Sequence, residues 1–154
     1  MNKILICLVL ILSFFLTGCS NQEKVEENPK REEKSEMKEE SDVMTSIGVI
    51  INGQNYVLHL EENETVERFL EHLPQEFSMT ELNGNEKYIY MDFSLPTNSS
   101  NPGEIHRGDV MLYGDNCLVV FYESFHTSYS YTKIGTISNL PDLGKGDITI
   151  KFEK

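Results

Sequence analysis

Beyond Ile47, apolar and polar positions alternate with period two over most of the chain. "IGVIINGQNYVLHL" holds two such runs joined by Asn52-Gly53. Asn-Gly tolerates the positive φ angles of a type I′ turn, so the segment is predicted to be a β-hairpin. The period then changes. In "NETVERFLEHLP", Val66, Phe69, Leu70 and Leu73 recur at helical spacing. Asn63 can cap the first turn, Glu64 and Glu67 suit its positive end, and Pro74 stops the helix. Period two returns in "EFSMTEL", and "EKYIYMDF" follows the turn "NGN". "SLPTNSSNPGE" is too rich in Pro, Gly, Asn and Ser for a regular element and reads as a long loop. "GDVMLYG" and "CLVVFYESF" are strands on either side of "GDN", and "TKIGTIS" and "DITIKFE" close the chain. About eight short strands with regularly spaced turn signals and one helix predict a mainly β domain, a small antiparallel barrel or sandwich.

The N-terminus follows a different pattern. "MNKILICLVLILSFFLTGCS" has a positive Lys3, then 13 residues from Ile4 to Leu16 that are apolar apart from Cys7 and Ser13. A bilayer span needs about 20 apolar residues. The shorter run matches the apolar region of a signal peptide. "LTGC" follows it and resembles the bacterial lipobox, in which the Cys thiol is diacylated and the chain is cut before it. Residues 1–18 are therefore expected to be a lipoprotein signal peptide, with Cys19 the lipidated first residue of a mature protein held at the extracytoplasmic face of the cell membrane. Two or more acyl chains anchor stably where one binds only marginally.

Residues 19–46 carry nine acids and five bases and no aromatic residue. Such a segment buries too little apolar surface to offset its ordering entropy, so it is expected to be a disordered Glu/Lys-rich tether. As a coil it would reach on the order of 30 Å. Residues 47–154 then form a single domain by size. Its 16 acids and 7 bases argue against nucleic acid, whose phosphates need clustered Lys and Arg. They also argue against direct adsorption to anionic lipid. Of the three cysteines, only Cys117 lies in the domain, within "CLVVFY". It has no partner for a disulfide and no zinc-type spacing, and reads as a small buried hydrophobe. No metal or cofactor is expected.

The strings "SLPTN", "PGEIHRGDVMLYGDNCLVVFY" and "SFHTSYSYTKIGTI" resemble the small bacterial cyclophilin-like domain family, over about Ile47 to Glu153. The resemblance implies a closed eight-stranded antiparallel barrel with one or two short capping helices. It also raises peptidyl-prolyl isomerase activity. True cyclophilins isomerise with an Arg in a Phe-His-Arg strand motif, a nearby Gln, an aromatic-lined proline pocket and often a Trp. Here "KYIYMDF" stands where that Arg belongs, there is no Trp, and Arg68 and Arg107 are the domain's only arginines. Stabilising a twisted amide requires a preorganised donor. The resemblance thus carries the fold further than the activity.

The aromatic run "VVFYESFHTSYSYTKIG" holds the candidate site. Period two puts Leu118, Val120 and Tyr122 on one face of a strand and Val119 and Phe121 on the other. Tyr129 and Tyr131 are two apart, so their rings share a face in extended chain. The candidate ligand-binding residues are His106, Phe121, Phe125, Tyr129 and Tyr131, lining a concavity for a small molecule or a peptide. The alternative is a loop whose rings fold back as a lid on the barrel. In "IHRGD", Asp109 could orient His106, or it could satisfy local backbone groups in a turn. His59 and His72 read as surface residues. No catalytic constellation emerges. The expected function is a binding module, with a prolyl isomerase or foldase for secreted chains as the alternative.

Overall fold

The computed structural model describes residues 44–154. The signal peptide at 1–18, the lipidation site Cys19 and nearly all of the tether lie outside the described residues. Among the described residues, no helix is long and apolar enough to cross a membrane.

The hairpin of β1 (Ser46–Ile51) and β2 (Gln54–Leu60) turns at Asn52 and Gly53, with φ of 47° and 82°. These are the left-handed angles that Asn-Gly accepts at low cost. Helix α1 (Glu64–Glu71) follows. The Asn63 side chain accepts the Val66 N–H, and its amide donates to the Lys133 carbonyl. Val66 and Phe69 face the core, so the cap fixes both where the helix starts and how it docks. Strands β3 (Gln75–Leu82) and β4 (Glu86–Tyr90) form a second hairpin around Asn83 and Gly84, again at positive φ. Then come β5 (Glu104–Ile105), β6 (Asp109–Tyr113), β7 (Cys117–Phe121), β8 (Phe125–His126), β9 (Thr132–Ile137) and β10 (Ile148–Glu153).

Eight strands close into an antiparallel barrel in the order β1-β10-β3-β4-β7-β6-β9-β2. Closure leaves the barrel itself with no free edge. The last seam, β2 to β9, demands a close approach: a side chain at Gly135 would collide with the His59 carbonyl. The interior is filled by Val49, Leu58, Val110, Leu112, Leu118, Val120, Ile134, Ile150 and Phe152 among others. Phe69 of α1 meets Phe152 edge-on at 5.3 Å between centroids.

The expected barrel, the eight strands and the single helix are present. Two features go beyond the sequence reading. β5 and β8 pair as a separate two-stranded ribbon, with Ile105 opposite Phe125. A second apolar cluster lies on the outside of the barrel wall: Ile105, Met111, Cys117, Val119, Phe121 and Tyr131, with Tyr88 and Phe125 against it. Period two along β7 thus divides its residues as expected. Leu118, Val120 and Tyr122 fill the interior, while Cys117, Val119 and Phe121 face outward, Phe121 beneath Phe125 of the ribbon.

Candidate functional site

The outward faces of three neighbouring strands build a tyrosine-rich wall. Cross-strand pairing sets the rows: Tyr90 opposite Cys117 and Cys117 opposite Tyr113, then Tyr88 opposite Val119 and Val119 opposite Met111, then Glu86 opposite Phe121. Glu86, Tyr88 and Tyr90 are two apart on β4, so all three point away from the interior. A cavity of about 290 Å³ opens over this wall. β4 contributes Glu86, Tyr88 and Tyr90, β6 contributes Tyr113, and β7 contributes Cys117 and Val119. Tyr129 and Tyr131 close the opposite side, and Leu82 and Asn83 of the β3–β4 turn close one end.

The second side of the cavity is held by the loop between β4 and β5. Ser100 and Tyr131 exchange backbone hydrogen bonds of 2.9 and 3.0 Å, and the Asn98 N–H donates to Thr132 Oγ1. Thr65 on α1 donates to the Pro96 carbonyl at 2.7 Å, which ties that loop to the helix. Tyr131 is thereby fixed from both directions. Its ring lies 5.5 Å from Phe121 and 5.7 Å from Tyr113, while Tyr129 meets Tyr113 edge-on at 6.1 Å. Tyr88 and Tyr90 meet at 6.0 Å, nearly perpendicular. Perpendicular rings are a favoured aromatic geometry.

Electrostatics single out Glu86. Burial pushes its carboxyl above the usual range, and no neighbouring cation pulls it back. Among the described residues its carboxylate has no ion pair. Burial likewise raises the Tyr131 hydroxyl, with the Glu86 charge adding to the effect. The Cys117 thiol is pushed up by burial and then by Glu86, so it stays protonated and is a poor nucleophile. Cys117 is buried, in keeping with its reading as a small hydrophobe. Among the described residues, no group of three metal-ligating side chains converges anywhere.

The sequence-derived candidates separate. Tyr129 and Tyr131 line the cavity. Phe121 is fully buried beneath it, and Phe125 packs on Phe121 at 5.7 Å from the ribbon side. His106 lies apart. Its backbone N–H donates to Asp109 Oδ2 at 2.9 Å, while its ring nitrogen is 3.9 Å from the same carboxylate and largely exposed. Asp109 is buried and also receives Thr136 Oγ1 and Lys133 Nζ, each at 3.2 Å. It therefore organises the turn and the β6–β9 seam. Arg107 pairs with Glu123 at 2.6 Å and does not line the cavity. His59 and His72 are on the surface as expected, His72 stacking on Phe93 at 3.8 Å.

Sequence reasoning missed Glu86, Tyr88, Tyr90 and Tyr113. The available signal was "EKYIY" itself, whose alternation puts an acid and two phenols on one face. Nothing local shows that this face adjoins Tyr129 and Tyr131, some 40 positions later.

Comparison with known proteins agrees with the architecture. No curated protein matches the chain. The solution structure of a hypothetical protein from Archaeoglobus fulgidus is similar in fold, with a TM-score of 0.55 at 16% identity, covering 71% of this chain and 93% of that one. A family model described as the cyclophilin-like family matches residues 49–153, all of the barrel except the first half of β1. By that match and by its closed eight-stranded barrel, the chain belongs to the cyclophilin-like family.

Proposed function

We propose that this protein is a membrane-anchored extracytoplasmic lipoprotein whose cyclophilin-like barrel binds a small organic molecule or a peptide group. The observation that carries the binding reading is the tyrosine-lined cavity on the outer wall of β4, β7 and β6. Ligand sites are concave, aromatic-rich and provided with a few placed polar groups. This one has phenol rings from three separate parts of the chain and a single carboxylate. The anchoring reading rests on the apolar run Ile4 to Leu16, the "LTGC" motif and the charged tether. The tether lets the barrel sample the space beside the membrane.

The prolyl isomerase alternative fits this cavity less well. Its lining offers no guanidinium to stabilise a twisted amide, and Arg107 is engaged with Glu123. The lone carboxylate has the wrong charge for that task.

Native mass spectrometry of the full chain purified from its own organism tests the binding reading. A co-purifying mass is expected in the parent and absent in Tyr113→Ala, whose ring is half-exposed and removable without unfolding the barrel. Isomerisation of a proline peptide, abolished by Tyr131→Phe, would instead establish the enzyme. Anchoring is tested by detergent-phase partitioning, which Cys19→Ser should abolish.

A further inference from the structure

The charge and aromatic content of the cavity narrow the class of ligand, given the binding reading above. Its lining contains no Lys, Arg or His. Anions are therefore unattractive occupants. A neutral apolar occupant would cover the Glu86 carboxylate and leave it without a partner, which costs free energy unless the group takes up a proton. A cation meets neither obstacle.

We propose that the cavity takes a small organic cation, an alkylated ammonium group seated against the tyrosine rings with the Glu86 carboxylate as its counter-charge. Four features converge on this. Tyr88, Tyr90, Tyr113, Tyr129 and Tyr131 all line the cavity, with Tyr88 nearly perpendicular to Tyr90 and Tyr113 nearly perpendicular to Tyr129. The negative face of a phenol ring attracts an ammonium group, and rings with one carboxylate form a cage suited to quaternary ammonium. Glu86 sits at one end of that cage, and among the described residues it has no ion-pair partner. The domain's excess of acids over bases adds a long-range pull on cations. The volume of about 290 Å³ is at the small end of ligand cavities, which favours a compact headgroup over a folded peptide.

The carboxylate makes the proposal pH-sensitive. Cys117 and five tyrosines also line the cavity; burial raises the Cys117 thiol and the Tyr131 hydroxyl, and Tyr90 is raised first by Cys117, so none of these three shifts toward the carboxylate range. Affinity for an ammonium ion should fall as the pH drops through its raised pKa, because the neutral carboxyl gives no counter-charge.

Calorimetric titration of the full chain with choline, and with its neutral isostere 3,3-dimethylbutan-1-ol, separates charge from shape. Choline is expected to bind at least about tenfold more tightly than the alcohol, the scale of one charge contact in a partly desolvated site. Glu86→Gln should weaken choline by about the same factor and leave the alcohol unchanged. Tyr113→Ala should weaken choline too, with its melting temperature showing that the barrel is intact. If the alcohol binds as well as choline, the cation assignment is overturned while the binding-module reading stands. If neither binds at millimolar concentration, the cation assignment is overturned. The binding-module reading then falls only if mass spectrometry also finds no co-purifying ligand.

Discussion

Glu86 and Lys87 are neighbours on β4 and face opposite sides of the same wall. Lys87 points into the barrel and is wholly inaccessible. Its ammonium donates to the carbonyls of Gly144 and Gly146, each at 2.6 Å, and lies 4.7 Å from the centre of the Tyr122 ring. Burial lowers its pKa, and Glu81, Asp147 and Asp142 oppose that shift. The charge is thus bonded into the loop that joins β9 to β10. Glu86 points outward, is half-buried, and shares its cavity with tyrosine rings and with no cationic side chain. A buried charge with a full set of partners is part of the fold. A half-buried charge without them is available to something that is not in the chain. The wall of β4 separates these two uses in consecutive residues.

Substitutions should therefore act on different observables on the two sides. Lys87→Ala should have the largest effect on stability, a loss of about 3 kcal/mol in denaturant unfolding, from two charge-assisted hydrogen bonds and the cavity left behind. A loss below about 1 kcal/mol would mean that the ammonium is not what holds the loop. Gly135→Ala comes next, at about 2 kcal/mol, because its methyl group meets the His59 backbone at the β2–β9 seam. Hydrogen exchange should then rise first along that seam. On the outer side, Tyr113→Ala should cost only about 0.5 kcal/mol in stability, since its ring is half-exposed. It should nevertheless remove most ligand binding, measured on the same preparation. A stability loss as large as that of Lys87→Ala would abolish the distinction between the two sides.

Glu86→Gln sharpens the comparison with the smallest effect. Because burial raises the Glu86 pKa, the folded chain holds this proton more tightly than the unfolded chain does. The charged form therefore destabilises the fold, fully above the folded pKa and not at all below the unfolded one. Without ligand, the Gln variant should be more stable than the parent at neutral pH, by about 0.5 kcal/mol or less. The difference should close as the pH falls through the raised pKa. Thermal melts at neutral and acidic pH read this directly, and an equal difference at both would remove Glu86 from the account.

Much of the barrel was legible because its causes are local. Asn-Gly at 52–53 specifies a turn, Asn63 specifies a helix start, and alternation in "CLVVFY" specifies which residues face inward. The β5–β8 ribbon was not legible, since two-residue strands carry no periodicity. The site was half legible. Tyr129 and Tyr131 were read from their spacing and do share a cavity. His106 was read from its proximity to Asp109, yet the carboxylate is turned to the backbone and the seam. Phe121 was read as part of an aromatic run, and lies beneath the site because its face of β7 is roofed by Ile105 and Phe125.

The sequence by itself determined the eight barrel strands, the turns, the helix and its cap, and the inward faces. Each of these depends on residues within a few positions of one another. Only the tertiary structure decided that β4, β7 and β6 are neighbours, and so that Glu86, Tyr88, Tyr113 and Tyr131 face one cavity. Strand order in a closed barrel is fixed by long-range pairing. A residue's alternation shows that it points outward, but not what it will meet there.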